Sequence, residues 1–66
     1  SLEAQVAQMR IASKLSGINT LITYYSGVIS NPEKPEDIRE KAREQRRALI
    51  KEIDDLIDRL GDEELE

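Results

Sequence analysis

Sixty-six residues leave room for one small domain at most, and the absence of cysteine and histidine denies it a disulfide or a thiolate or imidazole metal site. The same absence removes the usual nucleophile and the usual base near neutral pH, so composition argues against an enzyme and against a catalytic cofactor. The formal charge of −4 is unevenly spread: residues 1–30 hold only Glu3, Arg10 and Lys14, net +1, while residues 31–66 hold eight basic and thirteen acidic side chains, net −5.

The first predicted element is a helix over about residues 2–30, with Ser1 as its N-cap and Glu3 in the first turn, where an acid suits the positive end of the helix dipole. Ile11, Leu15, Ile18, Ile22, Tyr25 and Ile29 recur at alternating spacings of four and three, and Ala4 and Ala7 extend the stripe toward the start. This is the pattern of a seam laid against another helix. β-branched and aromatic residues such as Ile22, Thr23, Tyr24 and Tyr25 lower intrinsic helix propensity, so the helix depends on packing.

Around the same helix, more than about 100° from the seam, stands a second apolar set of Leu2, Val6, Met9, Leu21, Tyr24 and Val28. The small residues Ser13, Gly17 and Thr20 lie among them. A helix apolar on two faces is ordinarily covered on two faces, and one partner helix cannot reach both. Ser13 and Gly17, like Thr23 and Gly27, are small residues four apart, a spacing that permits close approach of a second backbone, though a weak signal outside membranes.

Asn31-Pro32 ends the first helix, because proline disfavours helical geometry in the residue before it, and a loop over residues 31–34 follows. Pro35 fits the first position of a second helix spanning about residues 35–60, with Glu36 and Asp37 beside its positive end. So short a loop makes the two helices antiparallel neighbours. On the second helix Ile38, Ala42, Gln45, Leu49, Ile53, Leu56 and Leu60 form one stripe, and the other faces are charged. Gly61 reads as a helix stop and residues 61–66 as a frayed acidic tail.

Folding the stripes together pairs Ile29 with Ile38, Tyr25 with Ala42, Ile22 with Gln45, Ile18 with Leu49, Leu15 with Ile53, Ile11 with Leu56 and Ala7 with Leu60. Large residues meet small ones at both ends, as a well-filled seam requires. This register weighs against a break at Ser16-Gly17, although a mid-helix glycine costs on the order of 1 kcal/mol. Ile50 and Ile57 flank the second stripe, either widening the core edge or lining a groove continuous with Val6 and Met9.

Other motifs weigh little. Arg10-Ile-Ala-Ser13 has the form of a basophilic kinase site but lies within a helix. Glu52, Asp55, Asp58 and Asp62 place carboxylates at helical spacings, yet no loop supplies further oxygens, so a solvated acidic face is expected and no metal. Arg43, Arg46, Arg47 and Lys51 are interleaved with Glu40, Glu44 and Glu52, a poor patch for nucleic acid. No stretch reaches the ~20 apolar residues of a membrane span, and no targeting signal is evident, so a soluble protein, cytoplasmic or recombinant only, is expected.

In length and hairpin arrangement the chain resembles the Rop family of RNA-binding hairpins, which dimerise into four-helix bundles. The resemblance covers the whole chain, carries no specific motif, and implies the bundle rather than RNA binding. The segment Pro35-Glu36-Asp37-Ile38-Arg39-Glu40-Lys41-Ala42 and the run Leu60-Gly61-Asp62-Glu63 also resemble computationally designed helical proteins: proline in the first turn, acids at the start, mixed charge outside, glycine near the end. The first helix is unlike that vocabulary, with Gln5, Gln8, Asn19, Thr20, Thr23 and Tyr24.

The expectation is an all-α protein, an antiparallel two-helix hairpin completing a four-helix or larger bundle by association. The function expected is structural: self-association, a dimer first of all, through Val6, Met9, Ser13, Gly17, Thr20, Leu21, Tyr24 and Val28. The alternative is a binding module, such as a designed binder, an epitope carrier or a small chaperone-like hairpin, that offers the same face to one different protein. Neither reading involves a catalytic residue, cofactor, metal, small-molecule substrate, nucleic acid or membrane.

Overall fold

The computed structural model describes residues 1–64, with side chains as far as Asp62; the end of the expected tail, Leu65 and Glu66, lies outside the described residues. It is an all-α hairpin of two helices, α1 (Leu2–Ile29) and α2 (Glu36–Glu64), packed against each other.

Helix α1 is continuous through Ser16 and Gly17. Ser1 caps it: the Ala4 amide donates to the Ser1 hydroxyl at 3.1 Å, satisfying one of the amides that a helix start leaves without a backbone partner. Ser30 closes the other end, its amide donating to the Ser26 carbonyl at 3.1 Å and its hydroxyl to the same oxygen at 2.8 Å. The Asn31 side-chain oxygen then accepts from the Glu33 amide at 3.0 Å, a side-chain turn that starts the reversal. The Pro35 carbonyl accepts from the Arg39 amide, so Pro35 sits at the cap of α2 and Glu36 takes the first helical position, one residue later than the sequence alone indicates.

The antiparallel register has its counterpart in the core. Ile11, Ile18 and Leu56 form its buried centre, with Leu15, Ile22, Leu49, Ile53 and Leu60 packed around them. Both members of the expected pairs Ile11 and Leu56, Leu15 and Ile53, and Ile18 and Leu49 therefore belong to one cluster. Ala4 and Ala42 are the other buried apolar residues. Near the loop the seam is thinner, for Ile38 is 41% exposed and Gln45 is exposed.

One expectation is corrected. Gly61 does not stop α2, which runs on through it to Glu64, and no glycine of the chain has positive φ. A glycine stop requires the left-handed conformation, and in its absence the helix-tolerant Glu63 and Glu64 simply extend the element. Ile57 lines a cleft with Ile53, Leu15, Ala12, Ser16 and Asn19, at the edge of the core, while Ile50 lies among Arg43, Arg46 and Arg47.

The resulting molecule is long and open. Its radius of gyration is 15.3 Å, against about 11 Å for a compact chain of this length.

Candidate interaction surface

The second face of α1 follows from the same periodicity that builds the seam. With Ile11 and Ile18 turned into α2 and buried, Leu2, Met9, Tyr24 and Leu21 remain 74%, 70%, 63% and 46% exposed. Val6 is exposed as well, and Val28 is half-buried at the seam edge. Ser13, Gly17 and Thr20 are exposed between the two apolar groups. All eight expected interface residues thus lie on one helix about 42 Å long, with the larger side chains toward its ends and the small ones at its middle.

The polar side chains around this face make few demands of their own. The Thr20 hydroxyl donates to the Ser16 carbonyl at 3.1 Å and the Thr23 hydroxyl to the Asn19 carbonyl at 3.0 Å. A threonine bonded back into its own helix can be covered without leaving an unpaired hydroxyl. Gly17 has open space around it: a Cβ built there would meet nothing within 4 Å. Packing within the hairpin therefore gives no reason for glycine at this position.

The periodicity of α1 alone did not reveal that the surface continues onto α2. Tyr24 and Val28 share a cleft with Tyr25, Ile38, Lys41, Ala42 and Gln45. Within it Ala42 is buried, while Tyr24 and Ile38 are 63% and 41% exposed. Tyr24 and Tyr25 meet edge to face, ring centres 5.3 Å apart at 68°, a favourable aromatic geometry that ties the outward ring to the one in the seam.

The charged groups are organised elsewhere. Glu36 bonds Arg39 at 2.7 Å and Arg43 at 3.0 Å, and Arg43 also reaches Glu40 at 2.8 Å. The hydrogen bond from Arg43, followed by the charge of Arg39, holds the Glu36 carboxyl below its ordinary range, and the same bonds raise Arg43. This network fastens the first turns of α2 and presents no reactive group. Among the described residues no cluster of acidic side chains has metal-binding geometry, and no helix is long and apolar enough to cross a membrane.

What the arrangement can do chemically is bury apolar area. No family model matches the chain, and no curated protein or solved structure is significantly similar to it.

Proposed function

We propose that this chain is a non-enzymatic interaction protein whose hairpins associate with one another, most simply as a dimer forming a four-helix bundle, through the second face of α1. The observation that carries this reading is the exposure of Leu2, Met9, Leu21 and Tyr24 along one side of a helix whose opposite side is already buried. Burying what remains exposed of Leu21, Tyr24 and Val28 would contribute about 1 kcal/mol each, a share of the value for burying a whole large apolar side chain, an appreciable gain beside the few kcal/mol that a core of this size supplies.

The surface area supports the same conclusion. The hairpin exposes 5064 Å², whereas a compact monomer of 7.5 kDa exposes about 4,200 Å². The excess, about 800 Å², is comparable to what each partner gives up in a stable interface of ordinary size. A second copy offers that area with matching chemistry, since it carries the same face.

The test is the double variant L21E/Y24E. Both side chains are exposed in the hairpin, so helicity should persist while the α1 contact is lost and the mass in solution falls below that of the parent assembly. An assembly unchanged by two glutamates on this face would overturn the reading. A parent protein that is itself a well-folded monomer would turn the reading toward a different protein as the occupant of the face.

A further inference from the structure

Helix α2 is polarised in charge along its length. Residues 36–51 carry six basic side chains against Glu36, Asp37, Glu40 and Glu44, net +2, and residues 52–62 carry Glu52, Asp54, Asp55, Asp58 and Asp62 against Arg59, net −4. All three ion pairs among the described residues lie within Glu36, Arg39, Glu40 and Arg43. Arg46 is engaged with Ser26 of its own hairpin. Arg47, Asp54 and Asp58 are exposed and enter no ion pair among the described residues. On the same side of the helix stand Ile50 and Ile57, two turns apart and 48% and 52% exposed.

We infer that this side of α2 is a second contact between copies of the chain, in which two α2 helices pair antiparallel, Ile50 of each against Ile57 of the other. The orientation follows from charge: in this register antiparallel pairing lays Arg46, Arg47 and Lys51 over the segment that carries Asp58 and Asp62, whereas parallel pairing lays Arg47 on Arg47 and Asp58 on Asp58. With Ile50 level with Ile57 of the second copy, Arg47 stands within about 3 Å along the axis of the level of Asp58 of that copy. Two-fold symmetry makes this ion pair twice. The two Asp54 side chains fall near the two-fold axis at the rim, where water and salt weaken their repulsion. The contact is separate from the α1 face and stands whether or not that face self-associates. A chain bearing both would build an assembly larger than a dimer.

The experiment is sedimentation equilibrium at low salt in the L21E/Y24E background, where the α1 contact is removed, comparing no further change, R47E, D58R, and R47E/D58R. Neither substitution harms the helix: Glu at position 47 gains Lys51 four residues on, and Arg at position 58 gains Asp54 and Asp62. The background should dimerise, each single variant should weaken the dimer about tenfold, and the charge-swapped double variant should return to within about threefold of the background. Parallel pairing would bring the two Arg47 side chains together, and R47E, which exchanges one like-charged pair for another, would then leave the dimer about as tight as the background. That outcome, a monomeric background, or a double variant no tighter than the singles would overturn the α2 contact and leave the proposal for α1 standing. An L21E/Y24E protein with the parent's mass that obeys the charge swap would confirm the α2 contact while removing the α1 reading.

Discussion

Arg46 on α2 donates to the hydroxyl of Ser26 on α1 at 3.1 Å, the one direct side-chain hydrogen bond between the helices among the described residues. Ser26 lies level with a residue about one and a half turns nearer the loop than Arg46, so the arginine stem must lie along the flank of the seam to reach it. The bond thereby reports register as well as proximity. Ser26→Ala should lower the stability of the hairpin by about 0.5–1 kcal/mol, read from the midpoint of urea unfolding. Arg46→Ala should cost more, because it also removes the packing of the stem, and a double-mutant cycle should show coupling between the two sites.

The seam should fail at Ile18. This residue is 7% exposed and belongs to the buried centre with Ile11 and Leu56. Ile18→Ala should cost about 2–4 kcal/mol, and Ile18→Asp, which buries an unpaired charge, should unfold the hairpin. Circular dichroism is sufficient to check this, since retained helicity in the aspartate variant would contradict the register.

Gly17 separates intrachain from interchain packing. Because nothing within the hairpin approaches its Cβ position, Gly17→Ala should stabilise the helix by about 1 kcal/mol. If a second copy lies close to Gly17, Gly17→Leu should dissociate the assembly while leaving the hairpin folded. Unfolding midpoints and sedimentation on the same two variants separate the effects.

The start of α2 should be sensitive to acid. The carboxyl of Glu36 titrates below its ordinary value of 4.5 because of Arg43 and then Arg39. A carboxyl whose folded value is depressed contributes stability that is full above its unfolded value and is lost as pH falls through the folded one. Lowering pH from about 5 through the acidic range should therefore fray the first turns of α2 in the parent but have less effect on Glu36→Gln. Both partners are exposed, so salt should shrink the difference. Amide exchange of residues 39–43 is the readout.

Most of the hairpin was legible because period carries most of its information. A stripe from Ile11 to Ile29, a second from Ile38 to Leu60 and two prolines at the reversal leave little freedom in how the helices meet. Gly61 misled because glycine permits a stop without imposing one, and the distinction lies in φ, which composition does not encode. The surroundings of Ile50 and Ile57 stayed open for a different reason. Periodicity places a residue on a face of its own helix, but which flank of the neighbouring helix it meets depends on how the pair is rotated. The second face of α1 was visible as a stripe, whereas its extension to Ile38 depends on how the two helices are rotated against each other, which the period of either helix alone does not give.

The most direct measurement is the mass of the unmodified protein across a dilution series, by sedimentation or light scattering, with helicity followed on the same samples. A dimer or larger species that dissociates on dilution, losing helicity as it does so, is the predicted result. A helical, single-chain species at every concentration would contradict self-association through α1 and leave its second face to another protein.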